Sequence, residues 1–313
     1  MTATSMLMAL ALLGAAPQDT AAQTPASQVD EVEDIVVLGR ELAEAVDDFV
    51  DEVVAPPSGR GPARWDRKVC VGAVNLKHEV AQPLIDRVSQ VALDIGLEIG
   101  EPGCSANILI LATDDGTALA TALVEARPRV FRPGYSGAAR SRAALDRFVA
   151  TDRPVRWWHV SVPTDADTGA VAVRLPGYGP PMINTLGGRL RTEIQNDLRR
   201  AFIIVDLAQA DRVSFPQLAD YVAMVAFAQI DPEAQLAGFD TVLNVFADPA
   251  GAAGLTDWDR AWLTSLYDAE LNRRAPNQQD GEVGGIMFRD LEQADPEPPA
   301  PPPADAPATP APR

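Results

Sequence analysis

Short apolar strand patterns alternate with helical patterns through the first half of this chain, and this alternation limits the possible folds more than any other feature. Segments 69–74 and 107–112 are apolar runs typical of buried strands, whereas 80–97 and 118–126 carry apolar residues at helical spacing. Further strand patterns cover 156–162, 170–175 and 201–205, and further helical patterns cover 138–150, 190–200, 215–229, 239–247 and 256–268. The sequence therefore predicts an α/β or α+β fold, with a mixed sheet covered by helices and with helices concentrated in the C-terminal half.

Four regions follow from composition and pattern. An uncharged apolar run at 6–16, followed by small residues, predicts a signal peptide at 1–22 and hence a periplasmic or secreted protein. No Lys or Arg precedes this run, and an Ala-rich N-terminus of a cytoplasmic protein is the alternative. Residues 23–62 are interpreted as an acidic arm with a strand, a helix and a linker, 63–275 as the globular domain, and 276–313 as a disordered Pro-rich tail.

The charge distribution excludes one class of partner and suggests another. The net charge of −18 argues against nucleic acid, because duplex binding depends on Lys and Arg that neutralise phosphates. No segment reaches 18 apolar residues, so no transmembrane helix is predicted. The acids are concentrated at 30–52, whereas 127–156 hold a cluster of eight arginines, here called the arginine band. Its members are Arg127, Arg129, Arg132, Arg140, Arg142, Arg147, Arg153 and Arg156.

The two cysteines, Cys70 and Cys104, lie at or just before two strand patterns. An even number of cysteines in an exported protein favours a disulfide, and neighbouring strands would bring this pair within bonding distance. Two buried free thiols are the alternative. The spacing excludes a Cys-x-x-Cys redox pair.

Histidine is scarce, which limits the available chemistry. His78 and Glu79 begin a helical pattern, but Gln82 stands where a zinc-protease helix needs its second His. The sequence therefore predicts neither a metal site nor a cofactor. If 156–162 is a strand, Trp157, His159 and Ser161 share one of its faces. A hydrolase with an unfamiliar site at these three residues is one hypothesis, and a buried strand with hydrogen-bonded polar atoms is the alternative.

The arginine band favours an anionic ligand, because guanidinium groups bind carboxylate and phosphate through paired hydrogen bonds. Anionic glycan, a lipid head group and an acidic protein segment are the candidates. A solvated helix face, or pairing with residues 30–52, is equally compatible with the pattern. The predicted ligand-binding residues are Arg127, Arg129, Arg132, Arg140, Arg142, Trp157 and His159. The sequence predicts a non-catalytic envelope protein that binds an anionic component or a protein partner.

The sequence Glu-Asp-Ile-Val-Val-Leu-Gly-Arg at 33–40 resembles the short N-terminal segment of TonB-dependent outer-membrane receptors. That family carries an acid, three β-branched residues, a small residue and Gly-Arg, and Leu38 stands here in place of the small residue. The resemblance implies contact between residues 33–40 and a TonB-like domain through strand addition at a sheet edge. An ordinary strand or arm is the alternative.

Residues 63–270 resemble exported bacterial proteins of unknown function whose C-terminal half is similar to zinc-metalloprotease-like domains. The resemblance is carried by segments 103–108, 202–205, 217–228, 254–259 and 266–268. In metalloprotease-like members the helix corresponding to 217–228 holds a His-Glu pair and the following ligand. This chain has no His in that helix, so the resemblance implies the fold without the metal site or its activity.

Overall fold

The computed structural model describes residues 28–56, 59–133, 140–173, 191–273 and 275–294, which leaves the predicted signal peptide outside the described residues. Its strands are β1 (Val71–Val74), β2 (Ile108–Thr113), β3 (Val155–Asp165) and β4 (Ile194–Asp206). Its helices are α1 (Gln28–Val53), α2 (His78–Asp94), α3 (Gly116–Ala126), α4 (Pro128–Phe131), α5 (Arg142–Ala150), α6 (Leu207–Ala210), α7 (Phe215–Phe227), α8 (Asp257–Asp268) and α9 (Pro276–Ala294). None of these helices combines the length and apolar character needed to cross a membrane.

The four strands form one mixed sheet in the order β1-β2-β4-β3. β1 pairs in parallel with β2, and β2 pairs in parallel with β4, while β3 runs antiparallel along the outer side of β4. The parallel register places Val71 opposite Ile108 and Ile108 opposite Ala201. Parallel neighbours need a crossover connection, which α2 supplies between β1 and β2.

Helices cover both faces of this sheet. One face packs Ile108, Ile110 and Ile203 into the large core that also holds buried residues of α2, α7 and α8. The opposite face carries a smaller core under α3, α4 and α5, built around Phe131, Phe148, Trp158, Phe202 and Ile204. The predicted mixed sheet covered by helices is confirmed. The described helices are spread along the chain: α1 to α5 precede β3, and α6 to α9 follow β4 in the C-terminal half.

The prediction of a helix over 190–200 is wrong, because β4 begins at Ile194. Its first half is polar and yet buried: Asn196 is 7% and Asp197 is 1% exposed. Asn196 accepts a hydrogen bond from Arg60 Nε at 2.5 Å, and Asp197 accepts one from the Thr164 hydroxyl at 2.6 Å. Pairing with β3 and these distant partners outweigh the local preference for helix.

Two shorter elements also differ from their predictions. Within 170–175 the described residues make one antiparallel bridge, Val171 to Thr164, and 174–175 lie outside the described residues. The helix predicted for 239–247 is a 3₁₀ turn at Val242–Asn244.

The predicted arm and linker at 23–62 need correction. The strand interpretation of 35–38 is wrong, because this segment belongs to α1. The chain divides into units 1–40 and 41–313, so the main unit begins before the predicted residue 63. Within that unit, Phe49 is fully buried and contacts Trp258 and Trp262 edge-on. Apolar burial therefore makes the end of α1, Val54 and Ala55 part of the main unit.

The predicted disordered tail also begins too early, because residues 276–294 form α9. Val283 and Met287 are fully buried and belong to the main core. A Cβ atom on Gly284 would lie 3.3 Å from Asp47 Oδ1, so the glycine permits close approach between α9 and the end of α1. The glycines of this segment have low helix propensity, so its sequence did not predict a helix, and packing on the core stabilises one.

A disulfide joins Cys70 to Cys104, with their Cα atoms 6.1 Å apart. β1 and β2 are neighbours, and the two cysteines precede them, so the bond closes the βαβ unit at the start of both strands. The predicted disulfide is confirmed.

Candidate functional site

Four members of the arginine band line one shallow pocket beside the edge strand β3. Arg140 precedes α5 and Arg147 lies within it, whereas Arg153 precedes β3 and Arg156 is its second residue. The enclosed space is only about 20 Å³, roughly the room for one water molecule, and the pocket is otherwise open to solvent. Its apolar walls are Ala144, Phe148, Val155, Trp157 and Trp158. The pocket therefore combines cationic groups with an apolar lining, and a ligand would contact these groups from the open side of the pocket.

The local sequence explains why α5 presents an arginine here. Ser141 caps the helix, because its hydroxyl accepts a hydrogen bond from the Ala144 amide at 3.1 Å. Ala144, Leu145 and Phe148 form the buried face of α5. Arg147 lies outside that apolar face and is exposed. Helical periodicity thus places the charge at the pocket while the apolar residues hold the helix on the sheet.

The two tryptophans give the pocket a rigid wall. Successive residues of a strand face opposite sides, so Trp157 joins the large core and Trp158 the smaller one. The Trp157 indole donates to the Ile230 carbonyl at 3.0 Å, and the Trp158 indole donates to the Phe131 carbonyl at 2.9 Å. Both side chains are at most 5% exposed. Because the tryptophan rings are buried, a ligand would contact mainly the arginines.

Two carboxylates stand beside two of the arginines. Arg140 Nη2 donates to Asp231 Oδ1 at 3.3 Å, and Arg153 Nη2 donates to Glu233 Oε1 at 3.5 Å. Each pair is a single contact, and all four side chains keep some solvent exposure. Within the described part of the chain, Arg147 has no ion-pair or hydrogen-bond partner. Arg147 is therefore the exposed arginine of the pocket that no described carboxylate contacts.

Arg156 differs from the other three because it is only 2% exposed. Its Nη1 donates to the Val149 carbonyl at 3.0 Å and its Nη2 to the Thr117 hydroxyl at 3.3 Å. Its Nε makes no hydrogen bond to any described residue. Burial lowers the pKa of this guanidinium, and the nearby Asp206 carboxylate partly offsets that effect. A Cβ atom on Gly116 would lie 2.9 Å from Arg156 Nη2, and the Asp152 and Asp115 carboxylates also favour its charged form, so Arg156 is held within the fold.

The structure separates the predicted ligand-binding residues. Arg140 and Trp157 line the pocket. Arg127, Arg129 and Arg142 are exposed and lie outside its lining, and Arg132 is half-buried elsewhere. Sequence reasoning left Arg147, Arg153 and Arg156 out of the predicted set although they belong to the arginine band. Two features of the sequence could have indicated them: Arg147 lies on the polar face of the predicted helix, and Arg153 and Arg156 lie at the start of the β3 pattern.

The face of β3 with Trp157, His159 and Ser161 is buried against the end of α7, as the alternating pattern indicates. His159 Nε2 lies 2.8 Å from the Val225 carbonyl, so this nitrogen carries the proton and donates it. Burial lowers the pKa of His159 to about 4, which keeps the ring neutral. Ser161 is fully buried, with Gln229 Nε2 3.4 Å from its hydroxyl.

Asp220 lies in α7, the helix that corresponds to the metal-binding helix of the metalloprotease resemblance. Its contacts stabilise the fold. It accepts hydrogen bonds from Arg87 Nε at 2.5 Å, from Arg87 Nη2 at 3.1 Å and from the Leu255 amide at 2.8 Å. Among the described residues, no group of three or more His, Cys, Asp or Glu side chains is arranged to hold a metal ion. Asp220 thus ties α7 to α2 and to the loop before α8.

Comparisons with family models, with curated proteins and with solved structures gave no match to this chain. The resemblances to metalloprotease-like domains and to TonB-dependent receptors therefore stay predictions from the sequence.

Proposed function

We propose that this protein is an exported, non-catalytic envelope protein that binds an anionic envelope component, or an acidic segment of a protein partner, through the arginine pocket. The observation that carries the proposal is the convergence of Arg140, Arg147, Arg153 and Arg156 on one pocket. Guanidinium groups are weakly hydrated and bind carboxylate or phosphate oxygens in a fixed geometry.

The electrostatics of the pocket support an anion rather than a neutral ligand. The chain as a whole carries a net charge of −18, so most of its surface repels anions. Arg147 is exposed and has no hydrogen-bond or ion-pair partner among the described residues, while Arg140 and Arg153 each make one contact to an acid. These three guanidinium groups are the ones that an anionic partner can reach.

Export is supported by two independent features. The 1–22 segment has the apolar run and small residues of a signal peptide. The Cys70–Cys104 disulfide is of a kind that persists in oxidising compartments. Fractionation of cells that make the full chain tests this part, and recovery in the cytoplasm with reduced cysteines would contradict it.

Binding is tested with the purified protein against vesicles of phosphatidylglycerol, vesicles of phosphatidylcholine and an anionic polysaccharide. We expect binding to an anionic surface, weaker at high salt because charge attraction is screened. The double variant Arg147→Gln/Arg153→Gln is expected to lose at least about tenfold in affinity, since each charge-assisted hydrogen bond is worth about 1.5–3 kcal/mol.

The matched control is Arg127→Gln/Arg129→Gln, which removes the same charge from exposed residues outside the pocket. Equal losses in the two double variants would mean that net charge alone attracts the anion, and the pocket would have no role. No binding of the parent protein to any envelope fraction would refute the proposal as a whole.

No contact of Trp157, His159 or Ser161 favours the hydrolase hypothesis, because these residues are buried and bonded within the fold. The hypothesis stays a prediction, and hydrolysis of an ester, peptide or glycan substrate that is lost in His159→Ala would support it.

Contact with a TonB-like domain through residues 33–40 is a separate proposal that rests on the resemblance. Strand addition needs an extended peptide, whereas this segment is helical here, so the helix would have to open first. Capture by a TonB-like domain that disappears when residues 33–40 are deleted would support it. Unchanged capture would contradict it.

A further inference from the structure

Helix α9 docks on the end of α1 through a short apolar contact. Val283 and Met287 of α9 are fully buried in the main core. A Cβ atom on Gly284 would lie 3.7 Å from Val46 Cγ1 and 3.9 Å from Val50 Cγ2, so the backbone of α9 approaches the apolar stripe of α1 directly. Release of α9 would therefore uncover apolar side chains of α1.

Helix α9 depends on packing for its stability. It contains Gly281, Gly284 and Gly285, and glycine has the lowest helix propensity after proline. Most helical stability in proteins comes from tertiary packing, and α9 packs on α8 as well as on α1. Such an element can open locally while the rest of the domain stays folded, once one of its contacts is weakened.

Carboxylates of the two helices lie together at this contact. Asp280 is half-buried on α9, and the Asp51 carboxylate of α1 acts on it across the contact. Asp47 is the other α1 acid here, because its Oδ1 atom would lie 3.3 Å from a Cβ atom on Gly284. None of these three acids has an ion-pair or hydrogen-bond partner in the ranges that the structure describes.

The charged residues around the start of α9 pair with one another. Arg273 Nε lies 2.6 Å from Glu282 Oε2, and Arg273 Nη2 lies 3.4 Å from Glu270 Oε2. Glu270 also pairs with Arg191 at 2.6 Å. On α9 itself, the residues three and four positions from Asp280 are all uncharged. The nearby ion pairs therefore leave the charge of Asp280 uncompensated.

Among the described residues, the other elements beside α9 bring no cation to Asp280 either. Arg60, in the segment before β1, donates to Asn196 Oδ1 at 2.5 Å. Arg260 of α8 donates to the Leu255 carbonyl at 3.4 Å. The contact between α9 and α1 therefore holds like charges at neutral pH.

The charge at this contact changes in a mildly acidic range. Burial, with the Asp51 carboxylate as the second cause, raises the pKa of Asp280 to about 6, from an ordinary value of 3.8. When α9 leaves α1, Asp280 returns to solvent and to its ordinary pKa. Docking therefore takes up a proton between these two values, and the docked state becomes more favourable as the pH falls.

We infer that the contact between α9 and the end of α1 is an acid-closed latch, in which Asp51 and Asp280 repel each other at neutral pH and weaken the docking of α9. The latch closes in mildly acidic surroundings. At neutral pH it opens more readily and uncovers the apolar stripe around Val46 and Val50. It lies apart from the arginine pocket and does not depend on the proposed function.

Hydrogen exchange of the α9 amides, measured by mass spectrometry at pH 5 and pH 7 and corrected for the intrinsic exchange rate at each pH, reports this opening. The α2 amides are the internal reference, because global stability also changes with pH. From the two pKa values, the docking equilibrium constant of the parent is expected to be about tenfold larger at pH 5 than at pH 7. Asp280→Asn, which cannot ionise, is expected to lose this gain of α9 over α2. Glu292→Gln removes a charge from the exposed end of the same helix and is expected to behave like the parent.

Asp51→Asn provides an independent test, because it keeps the Asp280 carboxyl and removes the charge that repels it. It is expected to raise the protection of α9 at pH 7, and unchanged protection would refute the repulsion on which the latch depends. An equal gain of α9 in the parent and in Asp280→Asn would also refute the latch. If α9 and α2 of the parent gain protection by the same factor, the proton is linked to global unfolding and α9 is no separate latch.

Discussion

Replacing His159 with glutamine is expected to remove one pH-dependent contribution to stability while keeping a donor for the Val225 carbonyl. Burial lowers the pKa of His159 to about 4 in the folded chain, from an ordinary value of 6.5. Between these values the unfolded chain binds a proton at this residue and the folded chain does not. The contribution of His159 is therefore complete above pH 6.5 and is lost as the pH falls towards 4.

The size of the effect follows from the two pKa values. A shift of this size corresponds to about 3 kcal/mol in total, of which about 2 kcal/mol is lost between pH 7 and pH 5. Burial raises the pKa of Asp197 and of Asp280 to about 6, which makes the folded chain bind extra protons and gives the opposite slope in the same range. The parent alone would mix these opposing effects, so the difference between parent and variant is the quantity to measure.

Urea unfolding at pH 7 and pH 5 provides that difference. Relative to His159→Gln, the parent is expected to lose about 2 kcal/mol more of its free energy of unfolding on acidification. His78→Gln is the matched control, because His78 is exposed at the start of α2, and it is expected to follow the parent. Parallel pH profiles for the parent and His159→Gln would refute the assignment of a buried, neutral imidazole.

Three further predictions test the packing. Replacing Cys70 and Cys104 with alanine removes a link across 34 residues and is expected to lower the free energy of unfolding by about 4 kcal/mol; an unchanged urea midpoint would contradict this. Asp220→Ala is expected to cost about 3–5 kcal/mol in urea unfolding because Arg87 and the Leu255 amide lose their acceptor, whereas exposed Asp146→Ala should cost little. In a double-mutant cycle, Asp220→Ala/Arg87→Ala should cost less than the sum of the single changes, and simple additivity would refute the coupling. Met287→Ala is expected to lower the free energy of unfolding by about 2–4 kcal/mol because this α9 side chain is fully buried. An unchanged free energy of unfolding would mean that residues 276–294 do not pack on the core.

The elements with a regular apolar pattern were predictable from the sequence. β1, β2, α2 and α7 lie within a few residues of their predicted positions, because each buries one face or both and the pattern records that burial. Thr256 also caps α8 through the Asp259 amide, as a Thr before acidic residues indicates.

The candidate site was predictable only as a region. The arginine band marked the right segment of the chain, and Arg140 and Trp157 were in the predicted set. Arg147 and Arg153 lie in the pocket because α5 and the approach to β3 meet there, which no spacing within the band specifies. Arg127 and Arg129, equally basic, lie outside the pocket lining.

The sequence by itself determined the alternation of strands and helices, the strand neighbours of the cysteines and the sign of the charge at 127–156. Tertiary structure alone decided that the polar first half of β4 is a strand, that α9 belongs to the core and that four arginines share a pocket. The physical reason is that a polar residue can be buried only where a partner satisfies it. Arg60, the partner of Asn196, lies 136 residues away in the chain.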